Sequence, residues 1–464
     1  MHEWNETTET LAASILAYTT ERLHLRPPPL DGPRLPAELQ AAAGETITEN
    51  GIGGESALRI FTEVLAPACL SIDHPRYFAF IPCAPTPAST LFDLVVSASS
   101  LYGGSWLEGA GAVFAENQAL RWLADLAGFP AGAGGVFVQG GTLGNLSALL
   151  AARFDARLRR SRRAQPANGG GSGEPRWAVA ASAEAHSSIK SAAAAMDVDL
   201  IAVQPDETGC LSGGAVEEAL AKERSVPGGR EAFAVVATSG TTNLGIIDDL
   251  PGIAEVASRE GLWLHVDGAY GGAAMAAPSV RSLFDGIERA DSFVVDPHKW
   301  LFAPFDCAAL LYREPEKARR AHAQHASYLE PLHSTDAWNP SDYALHLTRR
   351  ARGLPFWFSL AAYGTRAYSE AIERTLEVAR YAADSVRRRP ELELICEPVL
   401  SIVAFRRRGW DALRYAAWSA ALLESGTAFV VPTTHRGEQA IRIAVVNPRS
   451  SESDIDIVLD SLAD

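Results

Sequence analysis

The chain has 464 residues, 47% of them hydrophobic and 21% charged, and its formal net charge is −15. This size and composition predict a globular protein of two or three domains with an ample core. The acidic balance argues against nucleic acid or an anionic membrane surface as a partner. No run of about 18 apolar residues predicts a membrane-spanning helix. The first residues lack the basic and apolar segments of a secretory signal.

Five cysteines lie far apart along the chain, at positions 69, 83, 210, 307 and 396. Their number is odd and none shows Cys-x-x-Cys spacing, so the sequence predicts neither a disulfide framework nor a cysteine metal site. We interpret them as free buried thiols, which indicates a cytoplasmic, reducing compartment.

The first seventy or so residues predict helices that a proline-rich stretch interrupts. Apolar residues recur at roughly helical spacing between 12 and 18, and residues 46–65 resume an amphipathic pattern. Between them, residues 26–36 contain five prolines and break the helix. This part of the chain is too thin to bury a core of its own.

A glycine-rich turn follows the first predicted strand of the next region. Residues 135–139 read as a strand, Gly140-Gly-Thr-Leu-Gly-Asn follows, and a helix is predicted for 146–160. The free N–H groups and the dipole of a helix N-terminus can bind an anion there. The turn is neither a Walker loop nor Gly-x-Gly-x-x-Gly, so an ordinary structural turn stays open as the alternative.

Further strands alternate with helices as far as residue 312. They are predicted at 177–182, 200–203, 233–238, 262–266 and 292–295. This alternation favours an α/β fold with a mainly parallel, doubly wound sheet. The low-complexity stretch 161–175 predicts a surface loop, since no strand precedes its glycines.

The C-terminal part of the chain has a different pattern. A long helix is predicted for 354–388, and strands at 392–397, 399–405, 429–431 and 441–446 are combined with two more helices. This pattern predicts a smaller α+β domain.

Two charged residues follow neighbouring strands of the predicted sheet. Asp267 comes directly after the strand 262–266, and Lys299 follows the strand 292–295, about one strand–helix–strand unit later. Because ligands of open α/β sheets bind outside the carboxyl ends of the strands, we expect both side chains at one edge of the sheet.

A structural ion pair is the simplest explanation of a buried Asp and Lys, but their chemistry allows more. A lysine in an apolar pocket is a nucleophilic amine that forms Schiff bases. A carboxylate beside a pyridine ring keeps the ring nitrogen protonated, so the pair Asp267 and Lys299 is the protein's half of a pyridoxal phosphate site. A metal site of His265, Asp267 and His298 is less consistent, because we expect His265 to face the other side of its strand.

The motifs around these residues resemble those of the pyridoxal-phosphate-dependent group II decarboxylases. They are His265-Val-Asp-Gly-Ala-Tyr, Pro297-His-Lys-Trp and Phe305-Asp-Cys. That family includes the aromatic L-amino acid, glutamate and cysteine sulfinate decarboxylases, and the resemblance extends from about His74 to the C-terminus.

The resemblance implies a fold type I architecture, similar to aspartate aminotransferase, in a homodimer with active sites at the interface. Residues 1–73 would be an arm that packs on the partner subunit. Residues 74–348 would form the large cofactor-binding domain and residues 349–464 the small domain.

The resemblance also implies how the chain binds the ring of pyridoxal 5′-phosphate. Lys299 would form the Schiff base, and Asp267 would contact the ring nitrogen with support from Thr242. Ala269 would lie against one face of the ring and His186 against the other, where His186 also approaches the substrate carboxylate.

The cofactor phosphate is expected at the glycine-rich turn. Gly141 would let the backbone approach closely, Thr142 would donate from its side chain, and His298 would reach the phosphate from beside Lys299. The role of Asp296 stays open, because an anion near a phosphate is unfavourable unless it caps a turn.

The expected substrate contacts are Phe80, Pro82, Trp106 and Arg442, where Arg442 would bind a carboxylate as a bidentate partner. The apolar members favour an aromatic or bulky amino acid. His74-Pro-Arg and the glycine-rich turn look closer to the glutamate and cysteine sulfinate branch, so an acidic substrate stays open.

The resemblance implies decarboxylation of an L-amino acid to the amine and CO₂. Tyr328, on a loop of residues 326–345, matches the tyrosine that returns a proton to the α-carbon, and we expect this loop to be a lid. Oxidative decarboxylation–deamination to an aldehyde, a carbon–carbon lyase reaction and a non-catalytic homologue are the alternatives. The presence of both Lys299 and Asp267 argues against the last.

Overall fold

The computed structural model of the protein describes residues 2–163, 174–324, 326–333 and 337–463. Most of the predicted surface loop 161–175 lies outside the described residues. Within them, no helix is long and apolar enough to cross a bilayer.

Seven strands form the large sheet. They are Gly134–Val138 (β1), Trp177–Ser182 (β2), Asp199–Val203 (β3), Glu231–Thr238 (β4), Trp263–Asp267 (β5), Ser292–Val295 (β6) and Ala308–Tyr312 (β7). Their order is β1-β7-β6-β5-β4-β2-β3, and β7 runs antiparallel to both its neighbours while the five strands from β6 to β3 are parallel. The prediction of a mainly parallel sheet is confirmed.

Fourteen α-helices are present among the described residues. They are Glu6–His24 (α1), Pro36–Ala43 (α2), Gly54–Ile60 (α3), Pro87–Ala98 (α4), Trp106–Leu126 (α5), Gly141–Arg163 (α6), Ser187–Ala195 (α7), Gly213–Ser225 (α8), Leu250–Glu260 (α9), Pro297–Trp300 (α10), Pro315–His322 (α11), Leu354–Arg387 (α12), Ala412–Glu424 (α13) and Glu452–Asp460 (α14). The helix predicted from residue 146 begins at Gly141, so most of the predicted glycine-rich turn forms the first turn of α6.

Both faces of the large sheet are covered. Successive residues of a strand point to opposite faces, so Phe137 of β1 packs in one core while Val136 and Val138 pack in the other. Strands that are apolar on both faces are typical of a doubly wound sheet, because helices leave neither face in water.

The smaller C-terminal domain contains a four-stranded antiparallel sheet. Its strands are Leu392–Leu394 (β8), Ile402–Arg407 (β9), Pro432–His435 (β10) and Glu438–Ala444 (β11), in the order β10-β11-β9-β8. The strand predicted at 429–431 is wrong, since β10 begins at Pro432. The Phe429 carbonyl instead accepts from the N–H groups of Phe78 and Ala79, which brings the 76–80 segment to this domain.

A fully buried ion pair ties α5 to the start of α12. The Arg349 and Glu116 side chains are 0% and 2% exposed, and both guanidinium nitrogens Nη1 and Nη2 donate to the carboxylate. The same carboxylate accepts from the N–H of Gly353 at 2.8 Å. A buried charge is tolerated when its partner is buried beside it, so this ion pair fixes the chain just before α12.

The described end of the predicted lid is anchored rather than open. Residues 339–344 are buried, the N–H of Ser341 donates to Gly104, and the ring of Trp338 stacks on Tyr343 at 3.9 Å. Residues 334–336 lie outside the described part of the chain. The C-terminal part of the predicted lid therefore packs against the large domain, and the opening and closing of residues 326–345 stays a prediction.

The N-terminal helices are poorly covered by the rest of the chain. Helices α1, α2 and α3 contain no buried residue. The amphipathic pattern predicted for 46–65 forms only α3 and a following π-helical turn at Phe61–Leu65, because Gly51 and Gly53 adopt positive φ angles just before α3.

The five cysteines are all free, but only two match the prediction of buried thiols. Cys83 and Cys307 are buried, Cys210 and Cys396 are partly exposed, and Cys69 is exposed.

Candidate active site

A cavity of about 390 Å³ lies where β4, β5 and β6 end and where β11 of the small domain approaches the large sheet. It receives most of the residues that the sequence singled out. Its lining consists of Phe80, Ile81, Gly140, Gly141, Thr142, Asn145, His186, Ser188, Thr238, Gly240, Thr242, Asp267, Ala269, Tyr270, Asp296, His298, Lys299 and Arg442.

Asp267 forms the floor of this cavity at the end of β5. Its side chain is buried, with 5% of the residue exposed. Oδ2 accepts from Asn145 Nδ2 at 2.9 Å, and Oδ1 accepts from the N–H of Ala269 at 3.1 Å. Thr242 lines the same cavity, but among the described residues Asn145, rather than Thr242, is the side chain that donates to this carboxylate.

Lys299 lies on the short helix α10, beyond the end of β6. Its Nζ is 2.9 Å from Asp296 Oδ2, which also accepts from the N–H of Gly141 at 3.3 Å. The other oxygen of Asp296 is buried and has no hydrogen-bond partner among the described residues. Asp296, whose role the sequence left open, is therefore the ion-pair partner of the Lys299 amine.

The start of α6 borders the cavity beside these residues. A Cβ added to Gly141 would lie 3.0 Å from Ala269 Cβ and 3.2 Å from both oxygens of Asp296, so glycine gives the backbone its close approach. Thr142 is exposed at the same turn. His298 is buried and its Nδ1 accepts from the N–H of Cys307 at 3.1 Å, while burial lowers its pKa. Its neutral ring therefore carries the hydrogen on Nε2.

His186 caps the start of α7 at the opposite side of the cavity. Its Nδ1 accepts from the N–H of Ser188 at 3.2 Å and lies 2.8 Å from Ser188 Oγ. Ser188 Oγ accepts in turn from Asn145 Nδ2 at 2.9 Å. His186 is thus connected, through Ser188 and Asn145, to Asp267 at the floor of the cavity.

The expectation that His265 faces the other side of its strand is wrong. Residues 265 and 267 are two apart in β5, so their side chains share a face. His265 Nε2 lies 2.8 Å from Asn145 Oδ1, and the residue is fully buried beneath Asp267. Burial lowers the pKa of His265 to about 4, so the imidazole is neutral at physiological pH.

Arg442 enters the cavity from β11 of the small domain. Its Nη2 donates to the Phe80 carbonyl at 2.7 Å, its Nε is buried without a partner, and burial lowers its pKa to about 10. Among the described residues no carboxylate forms an ion pair with it. A buried guanidinium with unused donors can bind a carboxylate ligand.

Three predicted site residues are not brought into the cavity by the described structure. Pro82 is buried but does not line it, and Trp106 is 37% exposed at the start of α5. The backbone of Tyr328 belongs to a 3₁₀ helix, Ser327–His333, but its side chain lies outside the described part of the structure.

The arrangement fits pyridoxal 5′-phosphate in its donor chemistry. A buried carboxylate suits a protonated ring nitrogen, an amine suits the aldehyde carbon, and a glycine-bordered helix N-terminus suits a phosphate. Asp267, Lys299 and the start of α6 supply these groups around one cavity. The fold and the site together define a pyridoxal-phosphate-dependent enzyme.

Comparison with known proteins identifies the family. The model of the pyridoxal-dependent decarboxylase conserved domain matches residues 43–408. Aromatic-L-amino-acid decarboxylase of Sus scrofa is 32% identical over 410 residues, 84% of this chain and 82% of that protein. L-2,4-diaminobutyrate decarboxylase of Rhizobium meliloti (strain 1021) is 32% identical over 430 residues, 90% and 83% of the two chains.

Solved structures agree with this assignment. The crystal structure of Oryza sativa TDC with PLP and tryptamine has a TM-score of 0.88 at 25% identity, covering 100% of this chain and 99% of that one. The chain belongs to the pyridoxal-dependent decarboxylase family, whose members are PLP-dependent carboxy-lyases.

Sequence reasoning missed the supporting residues of the site, above all Asn145 and Ser188. A signal for Asn145 was present, because it lies four residues after Gly141 and so on the same face of α6. Ser188 lies two residues after His186, within reach of a side chain at a helix start.

We predict that Gly141→Ala weakens cofactor binding. The added methyl group would press on Ala269 and Asp296, and overpacking of this kind lowers affinity about tenfold. Titration of the apoprotein with pyridoxal 5′-phosphate, followed by absorbance, measures the Kd. Gly214→Ala is the control, since a Cβ on this exposed glycine of α8 meets only Ser212 Oγ, at 4.0 Å. An unchanged Kd for Gly141→Ala would contradict the close approach of the cofactor to this turn.

Proposed function

We propose that the protein decarboxylates an L-amino acid with an aromatic or bulky side chain, giving the amine and CO₂. The observation that carries this proposal is the convergence of Lys299, Asp267 and His186 on one cavity. They supply the amine, the carboxylate and the imidazole that a pyridoxal phosphate reaction on an amino acid uses.

Each of these residues has a distinct task in the proposed reaction. Lys299 would hold the cofactor through its amine, and Asp267 would keep a proton at the ring nitrogen. When bound, the protonated ring accepts the electron pair that the breaking bond leaves at the α-carbon. His186 would lie over the ring and orient the carboxylate that departs. The bond that breaks is the one held perpendicular to the ring, so the residues that orient the carboxylate select the reaction.

Arg442 and the apolar lining support the choice of substrate class. Arg442 is the one guanidinium that the described residues place in the cavity, so it can neutralise one carboxylate. An acidic amino acid carries a second carboxylate, which would need a further cation. Phe80 and Ile81 lie beside Arg442 and offer apolar surface to a side chain without charge.

Tyr328 completes the proposal as the residue that returns a proton to the α-carbon. Its support is the sequence resemblance of residues 326–334, because the tyrosine side chain lies outside the described structure. A phenol that donates a proton at this step favours the amine over the aldehyde. Once the α-carbon is protonated, it no longer reacts with oxygen.

We further propose that the protein is a homodimer. Large apolar side chains are exposed on the N-terminal helices and on the adjacent α4 and α5: Ile15, Leu16, Phe61, Leu65, Leu91, Leu94, Val95, Leu107 and Phe114. Exposed large apolar side chains concentrated in these elements support a protein interface there. Trp106 lies beside Leu107, outside the cavity of its own chain, so we propose that it contacts substrate in the second copy.

The decarboxylation proposal predicts a specific product. After the cofactor-loaded protein is incubated with a pool of L-amino acids in air, mass spectrometry should detect the amine of an aromatic or bulky amino acid. Lys299→Ala should lose the visible absorbance of the bound cofactor and lower turnover by at least about a thousandfold. Lys222→Ala, on the exposed face of α8, is the control. An aldehyde with peroxide, or an amine from glutamate alone, would overturn the proposed reaction or substrate class.

The role of Tyr328 predicts a change of product. In Tyr328→Phe the α-carbon loses its proton donor and stays open to oxygen, so the aldehyde fraction should rise at the expense of the amine. The ratio of the two products in air and under nitrogen measures the effect. Tyr381→Phe removes a hydroxyl that bonds Asp456 in the small domain and should keep the wild-type ratio. An unchanged ratio in Tyr328→Phe would remove this residue from the mechanism.

The homodimer predicts a mass in solution of twice the 49.5 kDa chain. Leu94→Glu places a charge in the proposed interface and should shift sedimentation towards the single chain. Leu413→Glu is the matched control, because Leu413 is exposed on α13, outside that surface. A wild-type protein that sediments as one chain at all concentrations would contradict the proposal.

A further inference from the structure

A continuous chain of hydrogen bonds runs beneath the cavity and connects its floor with His186. Asn145 stands at the branch point, with one arm through His265 and one through Ser188. The members other than Asp267 and His186 are Asn145, Ser188, His265, Ser292 and Trp263. Of these five, every one is buried, and buried polar groups depend on such hydrogen bonds.

The direction of each bond follows from Asp267. An ionised carboxylate only accepts, so the atom of Asn145 that faces Asp267 Oδ2 at 2.9 Å is the amide nitrogen. The amide oxygen of Asn145 then faces His265 Nε2 at 2.8 Å. Since that oxygen can only accept, His265 must carry a hydrogen on Nε2.

The far end of this arm is compatible with that tautomer. Trp263 Nε1 can only donate, and it is 2.8 Å from Ser292 Oγ. Ser292 Oγ lies 2.8 Å from His265 Nδ1, and a neutral His265 with its hydrogen on Nε2 has a lone pair there to accept the hydroxyl hydrogen. Each donor on this arm therefore meets an acceptor.

The other arm fixes the tautomer of His186. Asn145 donates its second amide hydrogen to Ser188 Oγ, which leaves the hydroxyl hydrogen free to point at His186 Nδ1. The backbone N–H of Ser188 points at the same nitrogen, and an N–H can only donate. Nδ1 of His186 is therefore an acceptor, and the neutral ring carries its hydrogen on Nε2.

We infer that Asn145 is a positioning residue that serves both sides of the cavity. It holds the Asp267 carboxylate and, through Ser188, orients His186 so that an Nε2–H donor is available to the departing carboxylate. This inference rests on the proposed function for the tasks of Asp267 and His186. The structure adds that the side-chain amide of Asn145 connects the residues that perform these two tasks.

The coupling has a chemical consequence. A histidine with its hydrogen on Nδ1 would present a lone pair from Nε2, and a lone pair repels a carboxylate. Loss of the bond from Asn145 would also leave a buried Asp267 oxygen without its side-chain donor, which disfavours the ionised form that the ring nitrogen requires. Asn145 therefore acts on cofactor affinity and on catalysis, whereas Ser188 acts on catalysis alone.

The first experiment reads the tautomers directly. In protein labelled with ¹⁵N-histidine, studied with and without pyridoxal 5′-phosphate, protonated and unprotonated ring nitrogens have well-separated resonances. The His186 signals are assigned as those absent from His186→Gln. We expect His186 and His265 both to carry hydrogen on Nε2. A hydrogen on His186 Nδ1 would overturn the inference, whatever reaction the enzyme performs.

The second experiment separates the two arms by substitution. Asn145→Asp keeps the side-chain shape but cannot donate, and two facing carboxylates must share a proton. We expect its cofactor Kd to rise about tenfold or more, with kcat also lowered. Ser188→Ala should keep the Kd within about twofold while kcat falls about tenfold, and Ser188→Thr should recover most of that loss.

Matched controls distinguish positioning from general damage. Ser385→Ala removes another fully buried hydroxyl, on α12, and should leave both Kd and kcat unchanged. His265→Gln retains an N–H for Asn145 and should stay closer to wild type than His265→Leu. Wild-type values of Kd and kcat in Asn145→Asp would overturn the inference. So would a loss of cofactor affinity in Ser188→Ala that equals its loss of kcat. If the protein binds the cofactor but releases no amine, the proposed function fails while the tautomer and Kd results still decide this one.

Discussion

The buried Asp267 carboxylate is the constraint on which the rest of the site depends. A buried carboxylate remains ionised only if hydrogen bonds replace the water that it has lost. Asn145 and the N–H of Ala269 supply them from α6 and from the turn after β5. The need for Asn145 brings α6 against the strand end, and that approach places the glycine-rich turn beside Lys299. One electrostatic requirement thus positions both the proposed ring site and the proposed phosphate site.

The two domains contribute different parts of the cavity. The large sheet carries Asp267 and Lys299, while Arg442 comes from the small domain. Their relative position is fixed by polar contacts, since the Tyr270 hydroxyl lies 2.6 Å from Ser401 Oγ and Arg442 donates to the Phe80 carbonyl. A change in the packing of the domains would therefore move the proposed carboxylate-binding group relative to Asp267 and Lys299, without disturbing the residues of the large domain that are proposed to hold the cofactor.

Short-range patterns in the sequence predicted the strands that carry the main site residues. The strands before Asp267 and Lys299 were predicted to within one residue, because short apolar runs between turns specify buried strands. The spacing from Gly141 placed Asn145 on the face of α6 that borders the cavity, but its bond to Asp267, 122 positions away, could not be predicted from local sequence. The strand predicted at 429–431 was wrong since residues 76–79 take the backbone bonds of Phe429. In both cases, hydrogen bonds between residues far apart in the sequence determined the structure.

The distribution of residues gives a physical account of how one family can serve many amino acids. Asp267 and the residues beneath it, Asn145, Ser188 and His265, are buried and joined by hydrogen bonds, so a substitution among them leaves an unsatisfied buried group. Phe80 is exposed, and Trp106 is proposed to act across a subunit interface. Exposed and interfacial positions change at little cost to folding. Substrate choice can therefore vary while the cofactor site is retained, as the aromatic and diaminobutyrate relatives at equal identity to this chain illustrate.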